Sequence, residues 1–345
     1  MVIFLYILFY LFALYAESFT VSNRRYWLMA TCIVLAYLAG VRDMSWSDTD
    51  VYVYSFNHYT PSIGELNEMS KPFGYSEMGF YYIGVVVKTF TSDATIYLLV
   101  VAALSMFFLY KAFDKYCYYP LFGVCAYIAR FYTARNFIQI RAGLSYAMIL
   151  WAVQYITKKD WKRYFLWILI AYQFHHSAVL AIPLYFLCMV KVKRWHILLG
   201  IIIAFILGGV YTEFMRGMVE DYVNDINTAT TYIGKEYQRE WGLGNPVIYF
   251  QLAILFLYTI YEKVLISTSE DYYTMRTAYF YSTFILISCS MYTALSGRTS
   301  SMFATLEMAI IPTIINTFYK KNRWIAYLCM GAVLSTIFYM NEYIK

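Results

Sequence analysis

A dozen apolar runs follow one another along this chain, at about residues 2 to 16, 26 to 41, 78 to 90, 95 to 112, 119 to 134, 137 to 156, 164 to 190, 195 to 215, 246 to 261, 277 to 295, 300 to 318 and 324 to 340. Most are joined by short polar connectors, so little of the chain has a face to turn toward water. The composition agrees: 61% hydrophobic residues, 14% charged residues and a mean hydropathy of +0.52 lie outside the soluble range. With roughly 25 to 30 residues for each crossing and its share of loop, the 345 residues accommodate about 11 to 14 crossings and no separate soluble domain. The expected fold is an all-α polytopic membrane protein of about 12 transmembrane helices, one integral membrane domain over 1–345. Several runs are too short to span alone, so re-entrant or kinked segments are expected among them.

The amino terminus, Met1-Val2-Ile3-Phe4-Leu5, is apolar from the start, with no basic segment and no small-residue cleavage site, which predicts a retained first helix. Net charge is +6, from 27 Lys+Arg and 21 Asp+Glu. The basic residues lie in short connectors beside apolar runs, the pattern that orients a membrane protein and not a patch that binds nucleic acid. Cys32, Cys117, Cys125, Cys188, Cys289 and Cys329 are scattered without ligand spacing and read as core fillers. No zinc or calcium ligand set, Walker loop or dinucleotide fingerprint is present. No metal or cofactor is therefore expected, and ATP-driven transport is disfavoured.

Orientation follows from Lys/Arg asymmetry. The connectors Lys158 to Arg163, Lys191 to Arg194 and Lys320 to Arg323 are predicted to be cytoplasmic. The run 164 to 190 lies between two of them, so it crosses an even number of times or is re-entrant, and its polar middle, Gln173-Phe174-His175-His176-Ser177, points outward. By the same parity Arg141 and Arg298 face outward. Two longer connectors, about 42–77 and 213–245, are placed outside, the first for its acidic excess. One count conflicts: with Arg24 and Arg25 inside and 42–77 outside, two crossings put Lys111 and Lys115 outside too. Either that weakly basic connector breaks the rule or the 119 to 134 segment is re-entrant.

Charged groups at membrane depth cost roughly 2.5 to 3.5 kcal/mol each on insertion scales, so intramembrane arginines invite a functional reading. The segment Ala129 to Arg141 carries Arg130, Arg135 and Arg141. On one unbroken helix Arg130 and Arg141 share a face. A helix from 119 to 156 is too long for one crossing, however, which predicts a turn near Thr133 to Asn136. Either geometry brings several guanidinium groups to the outer side, where the plain alternative is snorkelling to lipid headgroups. A diphosphate suits such a set, because guanidinium binds phosphate oxygens in pairs and keeps its charge; lipid-linked sugars carry one.

His175 and His176 are half of the four histidines. Imidazole accepts a proton from a sugar hydroxyl or, when protonated, holds a phosphate; the plain alternative is a histidine satisfied by a backbone carbonyl or a headgroup. Neighbouring helical residues point about 100° apart, so one is expected to act while the other packs. The 39 Tyr, 26 Phe and 8 Trp read mainly as interfacial belts, although Asp50 to Tyr59 also offers sugar rings a flat apolar face. Glu307, in the middle of an apolar segment, needs a basic partner on another helix, and a structural ion pair is the favoured reading.

Five elements taken in order resemble the Wzy/EpsG-type polysaccharide polymerases. Arg42 with Ser47-Asp48-Thr49-Asp50-Val51-Tyr52 resembles their external element, and Glu77-Met78-Gly79-Phe80 their entry to the next helix. Ile140-Arg141-Ala142-Gly143-Leu144-Ser145-Tyr146-Ala147 is similar to their IRxxxAxxL-like stretch, Ile170 to Ala178 to their IAxxFHxSA element, and Gly297-Arg298-Thr299-Ser300-Ser301-Met302-Phe303 to their late arginine element. The resemblance runs from about 35 to 320. Trp46-Ser47 stands where a glycine is common, Gly143 and Ser145 depart from the usual pattern, and the histidine is doubled.

What the resemblance implies is a helix bundle like the glycosyltransferase C-like polymerases and ligases. Its activity would be a bacterial inner-membrane polymerase joining undecaprenyl-diphosphate-linked oligosaccharide repeats, as donor and acceptor, on the periplasmic side. With it, His175, Arg141 and Arg298 are the catalytic candidates, and Arg42, His176, Asp48, Tyr52 and Glu77, together with Arg135 and Arg130 from the arginine-bearing segment, the candidates for substrate or diphosphate binding. Partners would be membrane lipid and a protein that sets chain length. An O-antigen ligase-like transferase and a flippase for lipid-linked oligosaccharide are the alternatives.

Overall fold

The computed structural model of the protein describes residues 2–67, 70–72, 77–210, 242–291 and 293–343. The expected outer loop 213–245 falls almost wholly outside them. Every regular element among the described residues is helical. Large apolar side chains such as Phe4, Leu8 and Leu11 on the first helix and Leu198, Ile202 and Ile206 further on are exposed, while Glu307, Arg276 and Arg135 are buried. That inversion defines an all-α membrane-type protein. Of the cysteines, Cys32, Cys117 and Cys125 are buried as fillers, but Cys329 is exposed.

The chain divides into two compact units, Met1–Ala181 with Glu307–Lys345, and Ile182–Leu306. The first holds α1 (Val2–Ala16), α2 (Val21–Gly40), α3 (Thr49–Tyr59), α4 (Met78–Phe90), α5 (Ala94–Tyr116), α6 (Pro120–Tyr127), a π-helix (Ile128–Ile138), α7 (Ile140–Ala152), α8 (Gln154–Thr157), α9 (Trp161–Tyr172) and a 3-10 segment (His176–Ala181). The second holds α10 (Ile182–Met189), α11 (Arg194–Gly209), α12 (Pro246–Ile260), α13 (Glu262–Leu265), α14 (Tyr272–Ser288) and α15 (Thr293–Ala304). Two further helices, α16 (Glu307–Thr313) and α17 (Arg323–Tyr343), return to the first unit. Local signals set many starts: Thr20, Asp93, Asp160 and Asn245 each accept a backbone N–H of the first turn, and Pro120 and Pro246 begin helices where no N–H is needed.

The expected count of about 12 transmembrane helices is not supported, whereas the short and broken helices expected among them are present. Among the described residues only Ala94–Tyr116 and Lys320–Glu342 are long and apolar enough to cross unaided, and Pro246–Ile260 with Glu262–Thr268 adds a third if that pair, bent by 74°, is one span. Some of the other apolar runs, such as 2 to 16 and 78 to 90, form single helices too short by this measure, and others are cut by breaks. Val153 separates α7 from α8, Gln173 to His175 separates α9 from the 3-10 segment, and Thr305-Leu306 precedes α16, which contains Pro312.

The run 164 to 190 reverses direction within its first part. Tyr164 donates to the Ala181 carbonyl oxygen at 2.8 Å, whereas a continuous helix would hold those residues about 25 Å apart. The chain therefore doubles back, with His175 at the fold.

Packing also settles the lysine conflict. Arg25, at the start of α2, pairs with Asp114 near the end of α5 at 2.7 Å. At the other end, Gly40 lies so close to Leu99 that a Cβ would come within 2.7 Å of its Cα. The two helices are antiparallel, and the short α4 adds no net crossing between them. Lys111 and Lys115 thus share an end with Arg24 and Arg25. Trp151, whose carbonyl accepts from Tyr116, marks the same end on the way to Lys158, and Tyr119 bonding Asn316 places the Lys320 connector there too. Neither alternative offered for the conflict was needed.

One core joins α1, α6 and α17. Tyr6 stacks on Phe338 with ring centres 4.5 Å apart, Tyr6 donates to the Cys125 carbonyl at 2.8 Å and Tyr10 to the Tyr327 carbonyl at 2.6 Å. Each tyrosine brings apolar area and places its hydroxyl on a backbone acceptor, which removes the cost of burying it. In the second unit Ala204, Ile248, Leu286 and Ile287 join α11, α12 and α14.

Candidate active site

The first unit gathers its arginines around the wide π-helix. The turn expected near Thr133 to Asn136 does not occur: the helix widens there and continues to Ile138, and the direction changes at Gln139 (φ −93°, ψ 56°). A π-helix sacrifices regular i to i−4 bonding, and residues distant in sequence compensate. Asn341 of α17 donates to the Ala129 carbonyl at 2.6 Å, and Thr133 bonds Glu342. Gly143 is required where α7 meets this helix, since a Cβ there would stand 2.2 Å from the Arg135 carbonyl oxygen.

Three arginines of this stretch meet different fates. Arg130 pairs through Nε with Oε2 of the fully buried Glu307 at 3.1 Å, the partner anticipated for that carboxylate. Arg135 is buried, bonds Gln139 through Nη1 at 2.5 Å and lies over the Tyr146 ring with Cζ 4.6 Å from its centre. Arg141, 22% exposed, bonds Glu77 Oε2 at 2.5 Å and lies 5.9 Å from the Tyr52 ring.

From Tyr146 a polar chain leads to the histidine. Its hydroxyl lies 2.8 Å from Ser177 Oγ, and Ser177 Oγ lies 2.5 Å from His175 Nδ1. Arg135, Tyr146, Ser177 and His175 are thus linked in sequence. Glu77 reaches the same place, because Gly79 two residues on donates its N–H to the Gln173 carbonyl at 2.8 Å. A Cβ on Gly79 would come within 2.8 Å of that oxygen, so glycine is needed for the approach.

Arg42 staples α3 to the π-helix: Nε donates to Thr49 Oγ1 at 3.0 Å, and Nη1 to the carbonyls of Ala39 and Asn136 at 2.9 and 3.2 Å. Tyr52 adds a long bond to the Ile138 carbonyl at 3.4 Å. Burial draws the Arg42 pKa below its usual value, opposed by Tyr52, Tyr97 and Tyr132, yet an arginine starts high enough to stay charged. Its Nη2 is buried and meets no acceptor among the described residues.

Asp48 is exposed in the left-handed region (φ 65°) at the start of α3, a conformation aspartate tolerates. His176 turns away from the polar chain and lies on Tyr172, ring centres 4.8 Å apart. Arg298 belongs to the second unit, half-buried on α15.

Arg42, Tyr52, Glu77, Arg135, Arg141 and His175 therefore share one end of the first unit, opposite the end carrying Arg25, Lys111 and Lys158. Tyr146 and Ser177 entered the sequence reading only inside longer motifs. Ser177 was open to detection, since a serine two residues past a histidine at a chain reversal lies within reach of its ring; the Tyr146 contacts depend on packing alone.

The fold and this cluster define an all-α membrane-type protein with a guanidinium- and imidazole-lined polar site. The EpsG family model matches residues 25–345, and the chain belongs to that family, as its motifs' resemblance to the Wzy/EpsG-type polymerases implied. The chain is similar to the "Amylovoran biosynthesis protein AmsC" of Erwinia amylovora, 21% identical over 342 residues that cover 93% of this chain and 89% of the relative. No solved structure matches.

Proposed function

We propose that the protein polymerises a bacterial polysaccharide by transferring a growing chain from undecaprenyl diphosphate to the end of another lipid-linked repeat, on the extracytoplasmic side of the inner membrane. The observation that carries the reading is the linked series Arg135, Tyr146, Ser177 and His175 beside Arg141. The bond from sugar C1 to the phosphate oxygen breaks, its electron pair leaves with the diphosphate, and the acceptor hydroxyl oxygen bonds C1 as its proton passes to His175. Donors aimed at charge that grows in the transition state are commonly the largest catalytic term. Arg135, Arg141 and Arg298 are assigned that task and Arg42 is assigned to the diphosphate, while Arg130, tied to the buried Glu307, and His176, against Tyr172, are assigned to packing. Asp48 and Tyr52 orient the acceptor sugar. Glu77 holds Arg141, whose guanidinium has five N–H donors, more than one carboxylate engages. Short apolar helices that pair across breaks would complete about a dozen crossings, and a chain-length partner would act from outside the bundle.

For His175 to act as base, Nδ1–H donates to Ser177 Oγ and Nε2 faces the acceptor, so Ser177 and Tyr146 orient the ring as the third group of a triad does. A second reading has its own observation: the Ser177 backbone N–H points at Nδ1 from 3.3 Å. If Nδ1 accepts, Nε2 carries the hydrogen and the ring donates to a phosphoryl oxygen. His175→Gln keeps a donor but supplies no base, so activity retained in His175→Gln and lost in His175→Ala would select the donor role.

The deciding experiment is extraction of lipid-linked saccharides from a deletion strain complemented with wild type or Arg141→Ala. Single repeats should accumulate without polymer in the variant at normal protein abundance. A normal chain-length ladder overturns the assignment. Polymer that is made but left unattached to its acceptor indicates the ligase, and repeats retained on the cytoplasmic face indicate the flippase.

A further inference from the structure

The second unit contains a cavity of about 650 Å³ where the end of α10, the connector to α11, α13 and the start of α14 come together. Four cations line it, Lys191, Lys193, Arg194 and Arg276, against one carboxylate, Glu262. Arg276 is 2% exposed, donates from Nη1 to Glu262 Oε2 at 2.7 Å and from Nη2 to the Val192 carbonyl at 2.7 Å. Its buried Nε has no acceptor among the described residues. Glu262 also accepts from Arg194 Nε at 3.2 Å and from the Tyr273 hydroxyl at 2.9 Å. One carboxylate therefore orients two arginines and neutralises one positive charge of four, leaving a surplus of three around a space partly walled by Val190 and Val192. Arg276 is held in the wall while Lys191, Lys193 and Arg194 reach solvent, so the surplus is open to an anion entering from outside.

We infer that this cavity binds an anion through a phosphoryl group. The fixed guanidinium of Arg276 with Arg194 provides geometry suited to a phosphoryl group, and the two lysines provide mobile charge. The basic connector Lys191 to Arg194 is of the kind that lies on the cytoplasmic side, where basic pockets between membrane helices receive anionic headgroups. The phosphate comes either from a membrane phospholipid or from a soluble diphosphate. The site uses none of the residues assigned to polymerisation and does not depend on that reading.

The test uses the full-length protein in nanodiscs and its thermal unfolding. One arm compares phosphatidylcholine discs with discs containing phosphatidylglycerol; the other adds inorganic pyrophosphate to phosphatidylcholine discs. Lys191 and Lys193 are exposed, so the doubly substituted Lys191→Gln, Lys193→Gln protein should fold normally. Stabilisation in the lipid arm alone identifies a headgroup site, and stabilisation by pyrophosphate identifies a soluble ligand. In either case the apparent affinity should fall about tenfold in the double variant. The inference is overturned if neither anion stabilises the wild type, or if the double variant responds as the wild type does.

Discussion

Two ion pairs whose arginines stand eleven residues apart on one polar stretch do opposite things. Arg130 with Glu307 is sealed, the carboxylate fully buried and the arginine 15% exposed, and it ties the π-helix to α16 across 177 residues of sequence. Arg141 with Glu77 is more open, and both partners stand at the end where His175, Tyr52 and Arg42 gather. A buried pair of the first kind is needed once made, because removal of one partner strands a charge in a medium that cannot solvate it. The second pair holds a guanidinium where an anion can reach it. Sequence position did not separate them; depth and neighbours did.

That contrast can be broken at several points. Glu307→Ala should have the largest effect on folding, about 3 to 5 kcal/mol, read by thermal unfolding in detergent. The double substitution with Arg130→Ala should lose less than the sum of the singles; full additivity would mean the pair is not coupled. Arg141→Ala should reduce polymerisation about 10² to 10³-fold with a loss of stability smaller than that of Glu307→Ala, because Glu77 keeps slight solvent access; an equal loss would move it into the structural class. Gly143→Ala drives a methyl against the Arg135 carbonyl. A displacement of about 1 Å at a reacting group costs up to roughly 10²-fold, and the loss should appear in rate at near-normal abundance. Tyr146→Phe keeps the ring under Arg135 but removes the link to Ser177. It should cost about one hydrogen bond, roughly 1 kcal/mol or five- to tenfold in rate; an unchanged rate would remove Tyr146 from the relay. Arg25→Ala, at an exposed pair, should shift stability by less than about 1 kcal/mol, and a larger shift would show that the α2 to α5 contact is undervalued.

Much of the helix inventory was legible in the apolar runs. The runs 2 to 16, 78 to 90 and 246 to 261 match helices almost residue for residue, because an apolar stretch in lipid has no way other than helix to satisfy its backbone. The reversal at Gln173 to His175 was foreseen from two flanking basic connectors. The break at Gln139 was missed, because a π-helix has no hydropathy signature and depends on Asn341 and Glu342, more than 200 residues away.

The sequence by itself determined that the chain is helical and of membrane type, and that Glu307 requires a cation. Those follow from the cost of charge and unbonded backbone in hydrocarbon, which each residue brings with it. Only tertiary structure decided which arginine met Glu307, which of two adjacent histidines joined Ser177 and Tyr146, and which end of α5 carried Lys111. Those choices rest on close approaches such as Gly79 to Gln173 and Gly143 to Arg135, set by the packing of distant helices.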